Sequence, residues 1–496
     1  MPRSAFRPTR LAPCAVVAAL AAVASVSPTT GAGAEGRPNF LVIMADDCTK
    51  GDLGVHGGQA KTPHLAGLAA EGMMFHRCFQ AAPMCSPTRH NLYSGLYPVK
   101  SGAYPNHAMA HDGVRSVAHY LGEAGYRVGL AGKSHVGPGA SYPFEEVPGF
   151  DHSCTRAPTL PHSVEGIGEF MARDSGEPFC LVVALVEPHA PWVMGDASAY
   201  PPAQLELPPV FADTPETREH YSRYLAEITY MDSQVGDILG VLETSGASSE
   251  TLVLFLSEQG SGFPFAKWTC YDAGLGSAAV VRWPGVVAPG SESEALVEYV
   301  DVLPTFLEAA AAPVPGVLEG RSFLPVLRGE RDTHKARVYG IQTTRGVNNG
   351  SEFFGIRSVR SAGHLYIRNL TPEAVFSCAA NKGEPWESWV RAAEGGDERA
   401  AVLVREYLHR PAEELYDVVA DPWNRNNLID DPSLAEVRDG LRADLDAWMA
   451  DQGDEGAATE MRALKRMRPG RSGKAVRRDA KAGKAGGKGK GKAVRR

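Results

Sequence analysis

The residues with the most chemistry to offer in this 496-residue chain stand directly behind four short apolar runs. Asn39–Met44 (NFLVIM) leads into Asp46-Asp47, and Arg127–Ala131 (RVGLA) into Gly132-Lys133-Ser134-His135. Phe179–Val186 (FCLVVALV) leads into Glu187-Pro188-His189, and Thr251–Leu256 (TLVLFL) into Ser257-Glu258-Gln259-Gly260. Runs this short and continuously apolar read as strands buried on both faces. In an open α/β sheet, sites form outside the carboxyl ends of the strands. Carboxylates, an amide, a lysine and two histidines are therefore delivered to one edge, where they can hold cations, bind anions and move protons. Taken singly, each has a plainer explanation. An Asp pair after a strand is more often a turn or a helix cap, and a lone His or Lys is more often structural or solvated.

The elements that must position these groups are legible around them. Pro63–Ala69 reads as a helix capped by Thr62, with Pro63 at its first position. Val114–Gly125 reads as a helix ending at a glycine, and Arg218–Thr244 as a long amphipathic one. Strands alternating with helices predict an α/β fold with a mostly parallel sheet. After about residue 340 the pattern changes. Strand-like Phe353–Arg360 and His364–Arg368, and a helix-like segment around Trp389–Tyr407, predict a smaller α+β sheet domain.

The segment Pro83-Met84-Cys85-Ser86-Pro87-Thr88-Arg89-His90-Asn91-Leu92-Tyr93-Ser94-Gly95 gives the edge its identity. By itself Cys85 reads as a buried, inert thiol beside a turn. The whole segment, however, resembles the C-x-P-x-R signature of the sulfatases. The resemblance extends over roughly residues 37–432, through Val281-Arg282-Trp283-Pro284-Gly285 and Asp301–Leu307 to Glu414-Leu415-Tyr416-Asp417 and Asn427-Leu428. It implies the alkaline-phosphatase-like α/β sandwich with a smaller C-terminal sheet domain. It also implies that Cys85 is converted to formylglycine by a formylglycine-generating enzyme, giving an aldehyde hydrate as nucleophile beside a divalent metal.

By that resemblance Asp46, Asp47, Glu258 and Gln259, with residue 85, are the metal ligands. Hard oxygen donors select calcium, or less readily magnesium, over zinc and copper. The family places Asp-Asn or Asp-His where this chain has Glu258-Gln259, so the donor types survive on side chains one methylene longer. Arg89 is then expected to pair with the formylglycine and the carboxylates. Lys133 and His135, in a GKSHVGP segment resembling the family's G-K-x-H-x-G, would contact nucleophile and sulfate. His189 and Lys267 would flank the sulfate, and one of the histidines or Lys267 would protonate the leaving oxygen. Residues Gly132–Phe144 and Pro264-Phe265 look most like heparan N-sulfatases and bacterial polysaccharide sulfatases, which implies a sulfated sugar as substrate. Arg345, Arg357 and Arg360 could line a basic cleft for it, or be solvated surface charges. Two other readings stay open: a phosphatase or phosphonate hydrolase of the same superfamily, and an inactive protein that binds sulfated glycans.

Bulk properties bound the remainder. Composition is that of a globular protein, 44% hydrophobic and 22% charged. Residues 1–34 carry Arg3, Arg7 and Arg10 before an apolar run from Leu11 to Val26, then Ala32-Gly33-Ala34, the layout of an export signal. The expected body is a catalytic domain over 35–340 and a C-terminal subdomain over 341–455. The mature protein is expected to be exported, periplasmic or extracellular, with no membrane span. From Arg462 to Arg496 fifteen Lys/Arg face one acid, Asp479, while the net charge of the chain is −8, so a basic tail follows an acidic body. Residues 456–496 are expected to be disordered, and either to bind polyanions or to be a solvated tail with no specific partner. The eight cysteines are irregularly spaced without a C-x-x-C pair, which argues against structural zinc. An exported compartment permits disulfides among them.

Overall fold

The computed structural model describes residues 36–173, 176–347 and 350–467; the expected export signal, residues 1–34, and most of the basic tail lie outside them. The main sheet is built from β1 (Asn39–Met44), β2 (Met73–Phe79), β3 (Arg127–Gly132), β4 (Glu145–Val147), β5 (Phe179–Ala184), β6 (Thr251–Leu256), β7 (Gly276–Arg282), β8 (Ser291–Ser293) and β9 (Val297–Glu298). Its order is β4-β3-β5-β1-β6-β7-β2-β8, with β9 also pairing β2. From β4 to β6 every pairing is parallel, and β7 runs antiparallel to both β6 and β2.

The apolar runs are buried on both faces for a simple reason. Alternate side chains of β1 enter different cores, Leu41 and Ile43 on one side and Phe40, Val42 and Met44 on the other. A helix over Pro215–Thr244 covers one face. It starts three residues before the amphipathic pattern suggests, because the Thr214 hydroxyl accepts from the Thr217 amide at 3.1 Å with Pro215 at the first helical position. The helix expected over Val114–Gly125 is shorter, Val117–Glu123, opened by a capping box between Ser116 and His119.

Thr62 precedes the Pro63–Ala70 helix as expected but does not cap it. Its hydroxyl accepts from the Val55 amide instead, at 3.2 Å. Asp232, on the long helix, takes the capping role by accepting from the His64 and Leu65 amides at 3.0 and 2.9 Å.

A separate antiparallel sheet contains β10 (Val338–Thr343), β11 (Gly355–Arg360), β12 (His364–Asn369) and β13 (Glu413–Asp417), in that order. The segment around Trp389–Tyr407 is two helices, Trp386–Glu394 and Glu398–Leu408, parted at Gly395-Gly396 and restarted by the Asp397 cap.

The expected disorder from residue 456 does not hold as far as 467. Ala457–Arg462 is helical, and Glu460, Ala463 and Met467 are buried. Glu460 and Asp454 both pair with Arg357, a fully buried guanidinium on β11. Arg357 is therefore a structural anchor rather than a cleft or surface charge. Arg360 is likewise held, by the Asp272 carboxylate at 3.0 Å. Arg345 donates to the Glu352 carbonyl at 3.2 Å. The seven cysteines among the described residues are all unpaired. No helix among the described residues is long and apolar enough to cross a membrane.

Candidate active site

The four strand ends meet as the sequence suggests. After β1 the chain is tied to both neighbours: the Ala45 amide donates to the Leu256 carbonyl at 2.9 Å and the Asp46 amide to Glu187 at 3.0 Å. This lays Asp46 and Asp47 between the ends of β5 and β6. At the end of β3, Gly132 adopts φ +84°, where an added Cβ would lie 2.2 Å from the Ala184 carbonyl oxygen. That turn needs a glycine, and it aims Lys133 inward.

Cys85 opens the helix Cys85–Ser94, all of whose residues are buried. The turn before it is held by buried Gln80, whose side-chain oxygen accepts from the Ala82 amide at 2.6 Å and the Thr88 hydroxyl at 2.9 Å. Arg89 stands one helical turn after Cys85 and so shares its face.

Two groups of contacts, brought within 4.8 Å of each other at Asp46, Asp47, Cys85 and Glu258, hold all the expected residues except His135. The Cys85 sulfur lies 3.6 Å from an Asp47 oxygen, 3.3 Å from Gln259 Nε2 and 3.2 Å from Lys267 Nζ. Lys267 also reaches both Asp47 oxygens at 2.6 Å, and Gln259 Nε2 donates to Asp47 at 2.5 Å. Arg89 Nε donates to Glu258 at 2.7 Å, with another guanidinium nitrogen 3.7 Å from Asp46. Lys133 pairs with Asp46. His189 Nε2 is 3.4 Å from Asp47. His135 stands one step out, its Nε2 bonded at 2.5 Å to His107 Nδ1.

The electrostatics follow from depth. Burial, reinforced by Asp46, pushes the Cys85 thiol well above its ordinary value, so the unmodified side chain is a neutral and weak nucleophile. Burial also drives the Glu258 carboxyl up, against the pull of Arg89. At Asp46 the burial penalty is outweighed by Lys133 and further partners, and its carboxyl is held well down. Burial is the largest influence on His189 and would lower it, but Asp47, Asp46 and a hydrogen bond with Cys154 together outweigh it and the net direction is upward.

Buried oxygen atoms stand close enough together here that they could hold a metal ion. Asp46 Oδ1, Glu258 Oε2 and Gln259 Oε1 are buried without a hydrogen-bond partner. Donor atoms of Asp46, Asp47, Cys85 and Glu258 all lie within 4.8 Å of one another. Buried acceptors are rarely left unpaired, and a hard divalent cation satisfies this set. The longer Glu258 and Gln259 side chains each spend one terminal atom on a protein partner, Arg89 and Asp47 respectively, and keep an oxygen spare.

Two further residues belong here that the sequence does not announce. His107 lies in a loop with no periodic pattern, and its role is visible only through its contact with His135. Cys154 reaches the site from an irregular turn. Burial raises its thiol, but a hydrogen bond with His189 and the charge of Lys133 outweigh that and bring it down to about 7.

An alkaline-phosphatase-like α/β sandwich with a thiol, an acidic cluster and a ring of cations at its strand ends defines a class of hydrolases for anionic esters. The particular family follows from comparison with known proteins. The Sulfatase family model matches residues 38–312, and the model "N-sulphoglucosamine sulphohydrolase, C-terminal" matches residues 261–369. An ulvan-active sulfatase of Formosa agariphila is 31% identical over 428 residues, 84% of this chain and 81% of that protein. Human N-sulphoglucosamine sulphohydrolase is 28% identical over 468 residues, 83% of this chain and 90% of that protein. Among solved structures, a protein in complex with its substrate D-glucosamine-2-N,6-O-disulfate superposes with a TM-score of 0.65 at 18% identity, covering 85% of this chain and 99% of that one. The chain belongs to the sulfatase family and is an enzyme of that class.

Proposed function

We propose that this sulfatase removes sulfate, ester- or nitrogen-linked, from a sulfated carbohydrate. In this reading Cys85 becomes formylglycine through a formylglycine-generating enzyme, and Asp46, Asp47, Glu258 and Gln259 hold calcium. The observation that carries it is the ring of cationic groups and spare carboxylate and amide oxygens closed around a buried thiol too weak to act unmodified. The curated relatives support the substrate class, since their names specify ulvan and N-sulphoglucosamine.

A sulfate ester is anionic and repels nucleophiles, so the site must supply positive charge and an activated oxygen. Hydrated formylglycine supplies one hydroxyl to attack sulfur and a second to expel sulfate afterwards. Calcium supplies Lewis-acid charge that favours the ionised oxygen. The chain's own groups do the rest. Lys133 and Lys267 compensate Asp46 and Asp47 and face the sulfate oxygens, while Arg89 fixes Glu258. His189 is the best-placed acid for the leaving oxygen, because the Asp47 carboxylate favours its protonated form. His135 donates to the sulfate or the nucleophile.

Mass spectrometry of the tryptic peptide Cys78–Arg89 from exported protein tests the nucleophile. An aldehyde at residue 85 supports the reading; an unmodified thiol in active protein overturns it and favours a phosphatase. Paired assays on aryl sulfate and aryl phosphate decide between those activities. Glycan binding without turnover, unaffected by Cys85→Ala, would mark an inactive binding protein. For the metal, Asp47→Asn is expected to weaken calcium affinity by at least about 10–100-fold, the cost of losing even an outer partner of a ligand, measured by titration calorimetry. Unchanged calcium affinity in that variant would remove Asp47 from the ligand set.

A further inference from the structure

Two histidines share one hydrogen bond at the edge of this site, and both have unusual backbones. His107 and His135 lie at φ +62° and +51°, a left-handed region that non-glycine residues seldom enter. Local strain of this kind persists where surrounding structure holds it, and it clusters at functional sites. Here the surroundings do hold it. The Ala110 amide donates to the Gly137 carbonyl at 2.8 Å, joining the two loops that carry the histidines. On its other side the His107 loop is bridged to the C-terminal segment, Ala108 pairing with Met467. The Met109 amide donates to the Arg466 carbonyl at 2.7 Å, and the Arg466 guanidinium returns bonds to the Gly102 and Met109 carbonyls at 3.0 and 2.8 Å.

The chain of contacts fixes more than orientation. Asn106 Nδ2 lies 3.3 Å from His107 Nε2, and His107 Nδ1 lies 2.5 Å from His135 Nε2. With the Asn106 amide oriented this way its nitrogen donates and cannot accept, which assigns His107 Nε2 as the unprotonated nitrogen. His107 then carries its proton on Nδ1 and donates it to His135 Nε2. His135 Nε2 is thereby an acceptor, and the neutral His135 ring carries its proton on Nδ1. That Nδ1 is buried and has no hydrogen-bond partner among the described residues. Neutral imidazole is the form this pocket favours, because burial first, then Lys133, His107 and Arg89, hold His135 well below its ordinary value.

We infer that Asn106 and His107 are positioning residues that lock His135 as an Nδ1–H donor for a sulfate oxygen or the nucleophile. The inference rests on the proposed function for what the donor meets, and on geometry alone for the tautomer. A neutral histidine whose second nitrogen is fixed by an outer partner is a recognised way of setting which nitrogen works.

The test uses the full-length enzyme with four variants. His107→Ala is expected to lower kcat on a sulfated sugar about 10–100-fold with KM little changed, at unaltered formylglycine content and melting temperature. His107→Asn tolerates the positive φ and places an amide donor near the Nδ1 position, so it should recover most of the loss. Asn106→Asp is the discriminating variant. It is isosteric, but its carboxylate accepts from His107 Nε2–H, reverses both rings and turns the free His135 nitrogen into an acceptor. It should be slower than Asn106→Ala, the opposite of what a space-filling role predicts. Nitrogen-15 histidine spectra, assigned by difference with His135→Gln, should show His135 protonated at Nδ1 in the wild type and at Nε2 in Asn106→Asp. Wild-type kcat in His107→Ala, a KM-only effect, Asn106→Asp faster than Asn106→Ala, or a wild-type His135 protonated at Nε2 would each overturn the relay. A wild type inactive on every sulfate but showing Nδ1–H would overturn the function and leave the relay standing.

Discussion

Cys85 sits where a thiol does little. Its surroundings combine full burial with two carboxylates, both of which oppose ionisation, and the same residues leave spare oxygens around it. Cys85→Ala is therefore expected to abolish turnover while leaving the melting temperature within a few degrees, because only the terminal group of one side chain is removed from a helix start that Gln80 holds. Turnover assays with a thermal melt check both halves. Asp52 offers a titration away from the metal ligands' own bonds. Burial raises its carboxyl to about 6, although the Tyr221 hydroxyl donates to it at 2.7 Å. A folded-state value above the unfolded one means that the folded protein binds the proton more tightly. Its contribution to stability is then greatest below about 3.8 and falls as pH rises to about 6. Asp52→Asn keeps an acceptor for Tyr221 and should remove that fall, raising stability at pH 7 by about 2–3 kcal/mol. Urea unfolding of both proteins at pH 4 and pH 7 measures it. An equal difference at the two pH values would contradict the assignment.

At the scale of elements, the caps show what local pattern reveals and what it hides. Thr62-Pro63 marks the helix start correctly, yet the amides there are satisfied by Asp232, 168 residues from His64. Asp232→Ala should cost about 1–2 kcal/mol, the range for loss of a cap, and urea unfolding would read it. No loss would mean that water satisfies those amides equally well. The strands and the groups behind them are legible because a doubly buried strand is continuously apolar and its carboxyl end leads straight into the site. Asp46, Asp47, Cys85, Arg89, Lys133, His189, Glu258, Gln259 and Lys267 accordingly meet as expected. His107 and Cys154 were not legible, because each reaches the site from an irregular loop whose path depends on long-range contacts. The fates of Arg357 and Arg360 were hidden for the same reason: a guanidinium's partner cannot be read from its own neighbourhood. A basic composition also concealed the last helix, since Glu460 supplies a buried carboxylate that docks it, beside Asp454, on Arg357.

At the scale of the molecule, that docked segment connects the basic tail to the site. Arg466 and Met467 are bonded to the loop that carries His107, and His107 touches His135. Residues 468–496, with twelve Lys/Arg and one Asp, therefore continue from a point beside the active-site loops. The body of the chain is acidic and would repel a sulfated polymer, and two of the three candidate cleft cations, Arg357 and Arg360, are consumed by carboxylates. A proposal for the tail follows from this placement: it supplies the attraction that the body lacks, by long-range steering of a polyanion. Ending the chain after Met467 keeps the buried docking segment and removes only the cationic run. The shortened enzyme should turn over a small sulfated sugar at the wild-type rate, while KM for a sulfated polysaccharide rises several-fold at low salt. The difference should shrink toward 0.5 M salt, where charges separated by more than a few ångströms are screened. Steady-state kinetics on both substrates across a salt series provide the measurement. A shortened enzyme with unchanged KM for the polymer at low salt would show that the tail is a solvated appendage. A fall in kcat on the small substrate would instead place part of it within the site.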